Sequence, residues 1–171
     1  SKDVDRNLRK IRTNFEELLE DRKLVQDNSS YYLYEQILAT KAVFRGLLGL
    51  VSVEDFRAGK IKKHESTITE RRMKMAHYLE KVNIQAEPVL LTYHANSKVE
   101  LLMNHEQKNV PIINYTDEKG VKHKIWRIDN RLKLQQFKEV LDPIDSFYIA
   151  DGHHRIGSVA EYAKKQRDKY K

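Results

Sequence analysis

The chain has no cysteine among its 171 residues. That one absence removes disulfides, thiolate catalysis and Cys-based zinc sites. It also fits a cytoplasmic location, where thiols are kept reduced and disulfides are rare. No apolar run approaches the ~18 residues of a membrane-spanning helix, so no membrane partner is expected. Nothing at the start resembles a secretory signal. The chain opens Ser1-Lys2-Asp3, without Met and within a helical pattern, which points to a tag remnant or an excised domain. No G-x-G-x-x-G follows a strand pattern and no G-x-x-x-x-G-K-S/T occurs, which argues against a doubly wound dinucleotide fold and a P-loop. A G-x-S-x-G elbow is missing, so an acyl-transfer triad has no support. His94, His105 and His123 lack a spacing that assembles a metal site. There is no internal repeat.

What is present is charge. Lys and Arg number 32 against 25 Asp and Glu, for a net charge of +7. Hydrophobic residues make up 40% and charged residues 33%, the balance of a soluble globular chain. The basic excess lies in dispersed helical pairs and in the tail from Lys164 to Lys171, which reads as a solvated helix end. No aromatic–basic repeat builds a platform for single strands. Nucleic acid is therefore a weaker expectation than a small-molecule or nucleotide ligand. The sequence leaves the oligomeric state open, a homodimer included.

Residues 3–20 read as an amphipathic helix, with Val4, Leu8, Ile11, Phe15, Leu18 and Leu19 near the 3.6 period. A strand is expected from Tyr31 to Leu38, with Ala42 to Val53 as the second arm of a hairpin, although Ala39 to Leu48 could pass for helix. Ser52 can cap a short turn that Gly59 ends. Residues 59–67 look like an exposed basic loop. Thr67 or Thr69 would cap a helix over 70–82, with His77 at the edge of its apolar side. Glu87 to Tyr93 reads as a strand, and Asn96 or Ser97 starts the next helix. Residues 111–115 and 121–128 form a hairpin across Asp117-Glu118-Lys119-Gly120. Asn130 caps a helix that Pro143 ends. A strand at 147–150 and a helix at 153–166 close the chain. The expected fold is one α+β domain over 1–171, a mixed β-sheet flanked by helices.

The densest chemistry lies at the last strand–helix junction, Asp151-Gly152-His153-His154-Arg155. Gly152 lets backbone N–H groups approach a phosphate closely. The start of the following helix adds partial positive charge. Arg155 can fork onto phosphate oxygens. Asp151 can bind Mg²⁺, orient a histidine or take a proton. His153 and His154 are adjacent, so their side chains diverge. The plain alternative is an N-cap Asp, a turn Gly and two surface histidines. A second cluster, Lys62-Lys63-His64-Glu65, offers a phosphate-binding cation and a ligand or general base; its plain alternative is a solvated loop. Arg71 and Arg72 in the first turn of a helix run against the helix dipole and suggest an anionic partner or a salt bridge.

These residues carry a resemblance. "GLLGLVSVEDFRAGKIKKHEST" at 46–67, "EPVLLTY" at 87–93, "GVKHKIWRID" at 120–129 and "YIADGHHRIGSVAEY" at 148–162 resemble the bacterial and archaeal family catalogued as domain of unknown function 1015. The ordered pair K-x-H-E and D-G-H-H-R makes the likeness specific. It implies that this chain is a central fragment of a protein of about 400 residues. Ile156 stands where the family usually has Tyr, and Gly157 and Ser158 replace its usual Thr or Ala, which bears on pocket shape rather than on the motif. More distantly, Asp151 to Arg155 resembles the D-G-H-T-R corner of free-serine kinases and the nucleotide-binding loop of ParB partition proteins and sulfiredoxins. That likeness implies a phosphate corner for ATP or ADP with Mg²⁺ and phosphoryl transfer to a small hydroxyl substrate. Lys63, His64, Gly152, His153, His154 and Arg155 would bind the nucleotide, Asp151 the metal, and Glu65, Asp151 and His153 would be catalytic. The alternatives are a nucleotide-gated nucleic-acid module, a metal-dependent hydrolase using Asp151, His153, His154 and His64, and an inactive structural fragment.

Overall fold

The computed structural model describes residues 2–169 and shows an α+β chain with six helices and seven strands among them. It divides into two compact units. Unit 1 comprises Ser1–Gln26, Val51–Tyr93 and Asp145–Lys171, and unit 2 comprises Asp27–Leu50 and His94–Ile144. The strands divide with them into a four-stranded antiparallel sheet and a three-stranded mixed sheet, where the sequence pattern suggested one.

Unit 2 holds the antiparallel sheet in the order β2 (Val43–Leu48), β1 (Tyr31–Ile37), β6 (Lys122–Ile128), β5 (Ile113–Thr116). Aromatic and branched residues favour these extended segments. Leu33 of β1 lies opposite Trp126 of β6, and both are buried. The helices α4 (Ser97–Glu106) and α5 (Arg131–Leu141) add Val99, Met103 and Phe137 to this core. The side chains of Asn96 and Asn130 accept hydrogen bonds from the first N–H groups of these helices, as the sequence predicts. Asp117 shapes the β5–β6 turn, its Oδ1 accepting from the N–H groups of Lys119 at 2.9 Å and Val121 at 2.8 Å. Buried Glu35 is paired with Lys124 at 3.2 Å and buried Glu106 with Lys133 at 2.8 Å, so neither carboxylate is left uncompensated.

Unit 1 is built on the order β3 (Ile61–Lys62), β7 (Phe147–Asp151), β4 (Leu90–Thr92). β3 runs parallel to β7, Ile61 beside Phe147 and Lys62 beside Tyr148, while β4 is antiparallel. Ile61 and Ile149 meet Ile156 of α6 (His153–Lys169) in a core that Phe56, Val89, Leu91 and Phe147 surround. α3 (Thr69–Val82) packs along α6, α1 (Lys2–Glu20) packs on α3, and α2 (Val53–Arg57) packs on α6. Gly157 makes room for the α3 contact, because a Cβ there would stand 2.8 Å from the Cδ of Arg72. His77 is half-exposed and bonded to Asp5 of α1 at 2.7 Å.

Two further sequence expectations change. Residues 59–67 are not wholly loop, since Ile61–Lys62 forms β3; a two-residue strand has no period of its own and exists through its pairing with β7. The cap of α3 is Ile68, with no side-chain hydrogen bond, because the Thr67 hydroxyl instead accepts from Arg72 Nη1 at 2.9 Å. No described helix is long and apolar enough to cross a membrane.

Candidate functional site

β7 ends at Asp151, the backbone turns at Gly152, and α6 begins at His153. Gly152 has φ +98°, a region L side chains avoid, so glycine is needed for the turn. Its carbonyl accepts from the Ile156 N–H at 3.0 Å, closing the first turn of α6. The N–H groups of residues 153–155 belong to that first turn and have no partner inside the helix. They give the corner the anion-favouring field of a helix start.

The parallel pairing of β3 with β7 delivers the following loop to the same edge of the sheet. Glu65 comes three residues after Lys62, as Asp151 comes three after Tyr148. Glu65 Oε2 lies 3.5 Å from Nδ1 of His153. The imidazole is only 6% exposed while the carboxylate is 67% exposed, so one partner is anchored and the other faces solvent. The His64 ring meets the His153 ring edge-on, centroids 4.4 Å apart. Lys62 Nζ sits 5.5 Å from the centre of the Tyr148 ring, and Lys63 is exposed on the loop.

Arg155 is held by two carboxylates. Its Nη1 donates to Glu87 at 2.7 Å and its Nη2 to Asp151. The guanidinium is thereby oriented but already paired, and the group Asp151–Arg155–Glu87 carries a net negative charge. Ser158 Oγ donates to the Arg155 carbonyl at 2.7 Å. Nε2 of His153 and Nδ1 of His154 are buried without a protein hydrogen-bond partner. An unpaired buried polar atom costs ~1–3 kcal/mol, so native proteins keep few of them without a use.

The structure thus brings Glu65, His64, His153, Asp151, Gly152 and Arg155 into one region of unit 1. His153 is buried and His154 half-buried, so the surface-histidine alternative does not describe them. Among the described residues no three His, Asp or Glu gather into a group that could hold a metal, so the set Asp151, His153, His154 and His64 does not form a metal centre. The Arg72 question resolves as a salt bridge, to Glu161 at 3.6 Å. In the basic tail, Arg167 pairs with Glu54 and Lys169 with Glu80, so part of that charge is compensated. Sequence reasoning missed Glu87, whose place before Pro88 carries no signal of a contact with Arg155. It also missed a cavity of about 260 Å³ between α3 and α6, with Arg155 in its wall.

Fold and site together define an α+β protein with a strand–glycine–helix corner flanked by a Glu–His pair. The chain belongs to the family described as "Protein of unknown function (DUF1015)", whose model matches residues 1–171. No curated protein and no solved structure matches it significantly. The wider likeness to partition proteins, sulfiredoxins and serine kinases gains no support from these comparisons.

Proposed function

We propose that the β7–α6 corner binds the phosphates of ATP or ADP and that the adjoining Glu65–His153 pair serves phosphoryl transfer to a small hydroxyl compound. The observation that carries this reading is His153. It is the first residue of α6, it is buried, its Nδ1 faces Glu65, and its Nε2 has no protein partner. With the ring protonated at both nitrogens, Nδ1 donates to Glu65 and Nε2 can donate to a phosphate oxygen at the helix start, beside the N–H groups of the first turn.

The remaining roles follow from chemistry and position. Gly152 lets an anion approach the backbone. Arg155 exchanges one carboxylate for phosphate oxygens, and Lys63, His64 and His154 add donors around them. Mg²⁺ binds commonly through one carboxylate plus substrate phosphates, and Asp151 is the carboxylate at hand. The substrate oxygen attacks the terminal phosphorus, the bond to the bridging oxygen breaks, and ADP leaves with that electron pair. The hydroxyl proton passes to Glu65.

Calorimetric titration of ATP and ADP, each with Mg²⁺, tests this reading. The parent protein should bind, and a variant carrying Arg155→Ala and His153→Ala should bind at least about tenfold more weakly while keeping its circular dichroism spectrum. No heat from ATP, ADP or CTP, or equal affinity in the folded variant, overturns it.

A further inference from the structure

The wall between α3 and α6 holds a cavity of about 260 Å³ that the corner chemistry does not use. Met75, Tyr78 and Leu79 face it from α3, and Arg155, Ser158 and Val159 from α6. Each trio has i, i+3, i+4 spacing, so each is one helical face. The segment after α3 adds Ile84, Gln85, Ala86 and Glu87 to the lining.

We propose that this cavity seats the nucleobase of the nucleotide whose phosphates the corner holds. The inference rests on the phosphate reading above and adds the second half of the ligand. Three observations carry it. The first is continuity: Arg155 lies in the first turn of α6 and also lines the cavity, and Val159 is one turn further, ~6 Å along the axis. That is the scale of the sugar that joins base to phosphate. The second is chemistry. The only full charges in the wall are Arg155 and Glu87, paired at 2.7 Å, so the cavity as a whole favours an uncharged body. A heteroaromatic ring offers flat faces to the Tyr78 ring and the Met75 thioether. Its polar edge can meet the Gln85 amide, whose Nε2 donates to the Glu87 carbonyl at 3.5 Å and whose Oε1 is an acceptor at the rim. The third is size. The volume falls below the ~300–1,000 Å³ of pockets that enclose drug-sized ligands, so it suits one ring system with the sugar and phosphates outside.

The test uses nucleosides and inorganic pyrophosphate as separate probes. Adenosine, guanosine, cytidine and uridine are titrated up to millimolar concentration, and pyrophosphate with Mg²⁺, into the parent protein and into Val159→Trp and Leu79→Trp. At least one nucleoside should bind the parent, and filling the cavity should weaken it at least about tenfold while pyrophosphate changes by less than about twofold. If a tryptophan variant fails to fold, Val159→Ala and Leu79→Ala remove the contact instead and should weaken the nucleoside about threefold or more. Pyrophosphate binding with no nucleoside binding overturns the base seat and leaves the corner. So does nucleoside binding unchanged by both substitutions. Nucleoside binding lost on filling, without pyrophosphate binding, supports the base seat and overturns the corner. Binding of neither probe overturns both.

Discussion

The Glu65 carboxylate stands 3.5 Å from Nδ1 of His153. The two residues are far apart in the chain and meet because β3 lies parallel to β7, so both strands release their next residues at one edge. The pair joins an exposed carboxylate to a buried imidazole.

Glu65→Gln keeps the shape of the side chain and removes its charge. ATP affinity should stay within about threefold, while phosphoryl transfer falls by about 10²–10⁴. ADP release, followed with a panel of small hydroxyl compounds, reads the effect. An unchanged rate removes Glu65 from the role of base.

Gly152→Ala should destabilise the fold by about 1–3 kcal/mol, the cost of holding a residue other than glycine in a sparsely populated backbone region. Two contacts add to the strain. The new Cβ would lie 2.9 Å from Nε of Arg155 and 3.3 Å from Cα of Val89. The arginine tip can swing away, but the Val89 backbone belongs to the approach to β4. Urea unfolding measures the change. A loss below about 0.5 kcal/mol would show that the turn tolerates a side chain.

Arg155→Lys separates stability from binding. The carboxylates that hold Arg155 are largely exposed, Glu87 at 76% and Asp151 at 71%, and exposed ion pairs contribute about 0–1 kcal/mol. The melting temperature should therefore change little. Lysine offers a point charge without the planar fork, so ATP affinity should fall at least about tenfold. A protein that melts far earlier yet binds ATP equally well would make Arg155 a structural residue.

The β5–β6 turn should loosen in acid. The Val121 N–H holds the Asp117 carboxyl below its ordinary value of 3.8, and His123 and the Lys119 N–H add to this. A depressed folded value means that the stabilisation is present above the unfolded value. It is lost as pH falls below about 3.8 toward the folded one. Hydrogen exchange at Val121 should lose protection in that window, and Asp117→Asn should remove the pH dependence. Protection that stays flat through the window would count against the assignment.

How much of this was legible in the sequence depended on distance along the chain. Helix α5 was readable at its start, because Asn130 accepts from Leu132 and Lys133 only a few residues away. The β5–β6 hairpin was readable for the same reason, through Asp117 and its near neighbours. Strand β3 was not, since Ile61 and Lys62 become a strand only beside Phe147 and Tyr148. Neither candidate cap, Thr67 or Thr69, caps α3: the N-cap is Ile68, and the Thr67 hydroxyl accepts from Arg72, a partner that local spacing does not reveal. At the site, the D-G-H-H-R corner stood out as a local strand–turn–helix pattern, whereas Glu87 and the cavity had no local signature.

The sequence by itself determined the absence of thiol chemistry, the amphipathic faces, and the glycine turn that starts α6, since each depends on composition or on groups a few residues apart. Only the tertiary structure decided which acid meets His153, that Arg155 is held between Asp151 and Glu87, and that α3 and α6 leave a cavity beside the corner. Those outcomes follow from strand order and helix packing, where the energy comes from burying surfaces contributed by distant segments. Local periodicity sets which face is buried, and the rest of the chain sets what that face meets.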